Sequence, residues 1–413
     1  MRCRDTINAS ILFSAGEKMN TLIELYDERP IENVLASEVF RPKRTVFLCP
    51  AAVAQNKALQ RKLRAYFDRQ GLAETELVFP EASLFNSEKL LKQLRALAKT
   101  YGDCVLDITG GTDAALFAGG LFCAESNAPA FTYSRKRNCF YDIHNAPFAH
   151  EKRCEIQHSV EDCFLMAGGA MRVGRVDNAI LDRYMSDFDP FFDLYRQFRS
   201  KWTQIVKYIQ QSSQTKKDQP VSLHVEAGYT LKGEHGGRVS APEECLHALE
   251  KLGFLRDVRI EGGRISYTFR DAQLRTWLRD VGSVLELYVY KACRDLGIFN
   301  DVRTSAVVDW EGDFRQDDVT NEIDVMAMQG VLPVFISCKT CLVDTDALNE
   351  LAILRDRFGG HGAKAAVVTT QPCRNILRHR AAELDITVID RNDLDGDGVA
   401  AHIRAMMEQD GGK

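Results

Sequence analysis

The sequence has no compact cysteine framework, no long apolar run and no surplus of positive charge. Its 12 cysteines are scattered among long hydrophobic segments instead of being regularly spaced. That pattern argues against a small disulfide-stapled fold. No apolar stretch reaches the roughly 18 residues of a membrane span. The run Ile11-Leu12-Phe13 is too short and poorly flanked for a secretory signal. A reduced, cytoplasmic protein with no membrane contact is therefore expected. The formal net charge is −5, unlike that of a strongly basic duplex-DNA binder. Any nucleic-acid contact must then come from local basic patches or a metal. Repeats and low-complexity segments are also missing.

What is present is ordinary globular composition, 45% hydrophobic and 27% charged, in a chain of 413 residues. That length is too great for one core, so two or three domains are expected. The first 145 or so residues alternate strand and helix. Strands are expected at 21–27, 44–49, 76–79 and 104–108, and helices at 31–40 (opened by Pro30), 54–68 and 88–99. This alternation predicts a parallel, doubly wound sheet, closed by a hairpin over 129–134 and 139–143. Residues 1–18 are expected to be a loose extension before the first strand. The middle, 186–270, holds a polar linker over 210–220, a helix over 243–252 and a hairpin turning at Gly262-Gly263, a winged-helix-like pattern. Arg256, Arg259, Arg264 and Arg270 lie on or beside that hairpin and are candidate phosphate contacts. A solvated spacer is the favoured reading. The last part, 271–413, begins with one long helix over 274–296. Strands are expected near 302–309, 322–328, 333–339, 364–370 and 386–389, and helices over 345–358 and 374–384.

Two segments carry chemistry. The first is Asn321-Glu-Ile-Asp-Val-Met-Ala-Met-Gln-Gly-Val-Leu-Pro-Val-Phe-Ile-Ser-Cys-Lys339. Period-two geometry places Glu322, Asp324 and Met326 on one face and Phe335, Ser337 and Lys339 on one face. With the turn centred near Val331, Asp324 stands opposite position 338, beside Ser337 and Lys339. A carboxylate and an ammonium among apolar neighbours need partners or a metal. Carboxylates that hold Mg²⁺ or Mn²⁺ beside a lysine suit phosphodiester hydrolysis. An ordinary Asp–Lys salt bridge is the plainer alternative. Cys338-Lys-Thr-Cys341 is a CxxC, with only Cys373 and His379 as loose partners for zinc, and chance spacing explains it better.

The second segment is Asp107-Ile-Thr-Gly-Gly-Thr-Asp113, between a strand and a helix. Its glycines allow close approach of a ligand, and Thr109, Thr112 and the helix N-terminus offer donors to phosphate. It is neither GxGxxG nor Walker A. Tyr26-Asp-Glu-Arg-Pro-Ile-Glu-Asn33 forms a second loop at the same carboxyl edge, where ligands bind in open α/β sheets.

The two segments resemble known families. Residues 274–390, with Gly282-Ser-Val-Leu-Glu-Leu-Tyr288 on the preceding helix, resemble the restriction-endonuclease-like PD-(D/E)xK core. That resemblance implies Glu286 as the helix acid, Asp324 as the central metal ligand and Lys339 as the motif lysine. The usual acid two residues before the lysine is Ser337 here, and the Cys338 backbone carbonyl, Glu322 or Glu286 would compensate. Residues 21–173, including Val160-Glu-Asp-Cys-Phe164 and Gly168-Gly169, resemble the CARF sensor domain of CRISPR-associated proteins. By that resemblance Pro30, Ile31, Glu32, Asn33, Thr109, Gly110, Gly111, Thr112 and Asp113 hold a cyclic oligoadenylate across a dimer interface. Many relatives carry lysine where this chain has Asp113.

The expected architecture is therefore α/β. A Rossmann-like CARF domain spans 1–185, a winged-helix-like segment 186–270 and a restriction-endonuclease-like domain 271–413. The resemblance implies a homodimeric type III CRISPR effector, activated by cyclic tetra-adenylate, that cleaves single-stranded RNA, DNA or both with Mn²⁺ or Mg²⁺. Two rivals remain. One is a ligand-responsive DNA-binding regulator whose nuclease-like domain is inactive. The other is a nickase or nuclease acting on duplex DNA.

Overall fold

The structure is a computed structural model that describes residues 19–172, 177–215, 220–232, 237–312, 320–360 and 362–408. The expected extension over 1–18 lies outside them. Strands β1 (Thr21–Leu25), β2 (Arg44–Leu48), β3 (Glu76–Val78), β4 (Cys104–Asp107) and β5 (Ala130–Ser134) run parallel, and β6 (Cys139–His144) and β7 (Lys152–Arg153) add antiparallel. The sheet order is β3-β2-β1-β4-β5-β6-β7. Every residue of β1 is buried because helices cover both faces. Leu22, Phe47 and Val105 point into one core and Ile23, Val46 and Leu106 into the other. The helices are α1 (Leu35–Phe40), α2 (Ala51–Ala54), α3 (Lys57–Arg69), α4 (Ser87–Tyr101), α5 (Asp113–Ser126) and α6 (Val160–Met166).

One expected helix does not form as read. Residues Pro30–Asn33 are a 3-10 turn, and the α-helix starts only at Leu35. The Asn33 side chain explains this. Its amide donates to the Asp27 and Arg29 carbonyls, and its oxygen accepts the Asp27 N–H at 2.8 Å. Such side-chain bonds compete with the helical ladder.

After α6 the chain crosses over. β8 (Ala170–Arg172) pairs with a strand of the C-terminal sheet, Asp301–Asp309, although it falls within the stretch expected to form the first domain. The middle contains α7 (Asn178–Leu181), α8 (Met185–Phe198), α9 (Trp202–Ser212), β9 (His224–Gly228), β10 (Thr230–Lys232), β11 (Arg238–Ser240), α10 (Glu243–Lys251), β12 (Leu255–Glu261) and β13 (Arg264–Phe269). Strands β12-β13-β9 form an antiparallel sheet beside α10. The β12–β13 turn uses Gly262 and Gly263, both at positive φ (56° and 73°), as a tight two-residue hairpin requires. Part of the expected linker is helical, since α9 reaches Ser212; residues 216–219 are outside the described segments.

The C-terminal unit contains α11 (Ala272–Trp277), α12 (Ser283–Asp295), β14 (Asp301–Asp309), β15 (Thr320–Gln329), β16 (Leu332–Lys339), α13 (Thr345–Leu354), β17 (Lys364–Thr369), α14 (Asn375–Glu383), β18 (Ile386–Ile389) and α15 (Gly398–Glu408). The sheet order is β18-β17-β16-β15-β14-β8, with β16, β17 and β18 parallel. A π-turn over Arg355–Gly359 follows α13. The expected single helix over 274–296 is broken between α11 and α12. There the Asp280 carboxylate accepts from the Ser283 N–H and hydroxyl at 2.8 and 2.7 Å, satisfying the first free N–H of α12. Apolar residues of α8, α9, β13, α12 and one face of the C-terminal sheet share one core. Another core joins α3 and α6 of the first unit to the other face of that sheet.

Candidate functional site

The β15–β16 hairpin closes on Gly330-Val331, with Gln329 opposite Leu332. That register sets Asp324 opposite Ser337, one residue away from the expected position 338. The ladder itself runs only to Val325–Ile336, so the strands part where Asp324 stands. The expected alternation also breaks there. Thr304 pairs with Val325 and Ala306 with Ile323, yet Val325 belongs to one core and Ile323 and Ala306 to the other. Ser305, between them, has φ 51°, a left-handed conformation uncommon for serine. The strand pair therefore flips faces at Ser305 and Asp324, and Asp324 does not share the apolar face of Met326.

This flip brings Asp324 and Glu286 to one cavity of about 140 Å³, lined also by Asp280, Ser305 and Glu322. Asp324 also lines a second cleft with Ser337, Lys339 and Glu350. Asp324 Oδ2 accepts the Cys338 N–H at 2.6 Å and the Ser337 hydroxyl at 3.2 Å. Because the Lys339 carbonyl is taken by the Thr370 N–H of the next loop, the neighbouring Cys338 carbonyl leaves the opposite strand edge, toward the gap. The Cys338 thiol itself is buried in the apolar core. Burial raises the Asp324 pKa, although the Cys338 amide and the Lys339 charge oppose the rise. Lys339 makes no direct ion pair among the described residues.

Glu286 sits one turn into α12. Burial, followed by the charges of Asp324, Asp280 and Glu322, pushes its pKa up to about 8. Its Oε2 accepts the Ser305 hydroxyl at 3.3 Å. Gly282 leaves space for this carboxyl group, since an added Cβ would lie 2.8 Å from Oε1. Three acids around one buried carboxyl, with a single lysine nearby, form a donor set whose charge suits a divalent cation. Among the described residues no three His, Cys, Asp or Glu side chains cluster tightly enough to hold a metal by themselves. Mg²⁺ and Mn²⁺ nevertheless commonly use one or two carboxylates, with water and substrate phosphate completing the shell.

The two N-terminal loops meet because β1 and β4 are adjacent and parallel, with Glu24 opposite Asp107. The Gly111 N–H donates to Asp27 Oδ2 at 3.0 Å. A Cβ on Gly110 would come within 2.8 Å of Asp27 Cβ, and Gly111 has φ 101°. Both glycines are therefore needed for this close approach. Asp27 holds Arg29 in a bidentate pair at 2.7 Å. Burial pushes the Asp27 carboxyl up, but the bonds from Arg29 and Gly111 outweigh it and lower its pKa. Glu32 binds Arg135 at 2.7 Å, and burial dominates both partners, raising Glu32 and lowering Arg135.

The individual loop residues differ in access. Pro30, Ile31, Glu32 and Asn33 are all buried. Thr112 is used to cap α5 and to donate to the Leu84 carbonyl, whereas Thr109 accepts the Tyr133 N–H. Asp113 is exposed at the start of α5. Beneath the loops, burial raises Asp107 to about 7 and lifts Glu24 well above its ordinary range. Asp27, Arg29, Arg135 and the Glu24–Asp107 pair were not singled out from the sequence. The last pair had a signal, two acids inside otherwise apolar strands.

In the middle segment, Arg270 pairs with Asp187 and Asp271, and Arg264 with Glu226. Two of the four arginines proposed for phosphates are thus already engaged.

A Rossmann-like unit is thus joined to a second sheet that carries paired acids and a lysine. More particularly, residues 275–407 match the family model described as "Card1-like, endonuclease domain", so the C-terminal unit is similar to a domain of that kind. Among solved structures, the fold resembles protein VC1899 from Vibrio cholerae (TM-score 0.71, 18% identity, covering 96% of this chain and 100% of that one). It also resembles Can2 from Sulfobacillus thermosulfidooxidans, solved with cyclic tetra-adenylate (TM-score 0.65, 16% identity, 94% and 97% coverage). A third is a type III CRISPR defence DNA nuclease activated by cyclic oligoadenylate, at TM-score 0.50 and 13% identity, with 96% of this chain covering 52% of that one. At these identities the likeness is one of fold. No curated protein matches the chain in sequence.

Proposed function

We propose that this chain is a cyclic-oligoadenylate-activated, metal-dependent nuclease of type III CRISPR defence, cutting single-stranded RNA, DNA or both. The observation that supports the reading is that Asp324, where β15 and β16 part, lines one cavity with Glu286 and an adjoining cleft with Lys339. In this reading the sensor spans 1–185, the connector 186–270 and the nuclease 271–413. Can2, similar in fold, was solved with cyclic tetra-adenylate, which makes that molecule the activator to try first.

Glu286, Asp324 and the Cys338 carbonyl would hold Mn²⁺ or Mg²⁺. Such an ion polarises a phosphate and lowers the pKa of bound water. The Cys338 amide and Ser337 hydroxyl fix Asp324 by one oxygen, leaving the other free to bind. Lys339, on the same strand as Ser337, would stabilise charge developing on the scissile phosphate. Ser337 supplies a hydroxyl where relatives place an acid, so Glu286 carries the second negative charge.

Gating has a route through the turn that follows α13. An added Cβ on Gly360 would lie 3.5 Å from both Arg135 and Arg29, and one on Gly359 would lie 2.8 Å from Phe335. Phe335 stands two residues before Ser337 on β16. A ligand that shifts Glu32 or Arg135 would therefore bias the turn behind the cleavage strand, provided it binds one arrangement better. A second copy would pair through α5. This helix is apolar around its circumference, yet Phe117 is 61% exposed and Leu121 38%; Phe85, which follows the Leu84 carbonyl bound by Thr112, is 86% exposed. An all-apolar helix needs cover.

The test is cleavage of labelled single strands with Mn²⁺, with and without cyclic tetra-adenylate. Ligand-stimulated cutting is expected. Its absence, or full cutting by Lys339→Ala, would refute the reading.

A further inference from the structure

Strands β16, β17 and β18 are parallel and end at Lys339, Thr369 and Ile389. The three following loops consequently leave from one carboxyl edge, the edge that carries the reactive lysine. Hydrogen bonds stitch them together. The Thr370 N–H and hydroxyl donate to the carbonyls of Lys339 and Thr340, the Thr369 hydroxyl to that of Cys341, and the Arg391 N–H to that of Gln371.

On this lip stand Arg374 and Arg391, both exposed and without an ion pair among the described residues. Arg378 joins them but is tied to Asp390 at 2.6 Å. Leu342, 59% exposed, lies on the first of these loops, and Ile376, 74% exposed, in the first turn of α14 beside Arg374. Unpaired arginines beside solvent-facing apolar side chains are an unusual use of surface in a chain of net charge −5.

We infer that Arg374 and Arg391, with Leu342 and Ile376, form the track that holds a single-stranded nucleic acid as it leaves the cleavage site. The inference rests on the nuclease reading above and adds the path of the substrate. The arginines meet successive phosphates, and the apolar side chains contact unstacked bases, which a duplex would keep hidden. The hairpin of the middle segment is not required for this path.

The experiment compares Arg374→Ala/Arg391→Ala, Arg374→Lys/Arg391→Lys and, as a charge control, Arg404→Ala on the exposed face of α15. Full-length protein is assayed with Mn²⁺, cyclic tetra-adenylate and labelled single strands at several salt concentrations. The double alanine variant should raise KM about tenfold and flatten the salt dependence by about 0.7 per lost phosphate contact. The lysine pair should restore most of both, and Arg404→Ala should change neither. Thermal melting confirms that the exposed substitutions leave the fold intact. If wild-type protein cuts but the alanine pair keeps its KM and salt slope, the track is wrong and the nuclease reading stands. An equal loss on duplex and single strands overturns the single-strand assignment. If wild-type protein cuts nothing, the nuclease reading fails and takes the track with it.

Discussion

Replacing Glu286 by glutamine should stabilise the metal-free protein at high pH. The carboxyl group is buried against Asp324, Asp280 and Glu322, and its pKa rises from the ordinary 4.5 to about 8. The folded protein thus retains a proton that the unfolded chain has already released. Its penalty is absent below about pH 4.5, grows as pH rises, and is complete above about pH 8. At about 1.4 kcal/mol per tenfold, full ionisation costs the fold about 3 to 5 kcal/mol. Glutamine removes the charge and keeps the shape. Urea unfolding in chelator at pH 5, 7 and 9 would show the variant matching wild type at pH 5 and exceeding it increasingly toward pH 9. Adding Mn²⁺ at pH 9 should stabilise wild type and not the variant, because an ion bound only by the folded state stabilises it. Parallel pH profiles for the two proteins would refute the crowded-acid account.

Three further outcomes follow from the geometry. Lys339→Ala should lower kcat about 10²- to 10³-fold, as loss of one charge-stabilising donor does, with a melting curve close to wild type. Gly110→Val should abolish cyclic tetra-adenylate binding in calorimetry while leaving Mn²⁺ binding intact, since its side chain would collide with Asp27. Phe117→Glu should shift sedimentation from dimer to monomer, and an unchanged dimer would remove α5 from the interface.

Much of the scaffold was legible because the signals were periodic and local. Buried strands such as Val105-Leu-Asp107 and the hairpin around Gly330 follow from side-chain alternation and turn chemistry. Asp324, Ser337 and Lys339 could be named because they lie on one hairpin, whereas Glu286 was named through the resemblance to the PD-(D/E)xK core. Their arrangement was less legible. The face flip depends on Ser305 adopting positive φ, which nothing in a serine announces. The late start of α1 depends on the Asn33 amide folding back onto Asp27 and Arg29. Pairs such as Glu32–Arg135 join residues far apart in sequence, so spacing could not reveal them. α15 did have a signal, Val399, Ile403 and Met406 at helical spacing, that was not read as a helix. No helix among the described residues is long and apolar enough to cross a membrane.

The most direct test of the central claim is the rate of Mn²⁺-dependent cleavage by Asp324→Asn, measured with saturating cyclic tetra-adenylate. The account predicts that this variant still binds the nucleotide and melts like wild type, yet loses Mn²⁺ binding and cleavage together. Cleavage at the wild-type rate by Asp324→Asn would contradict it.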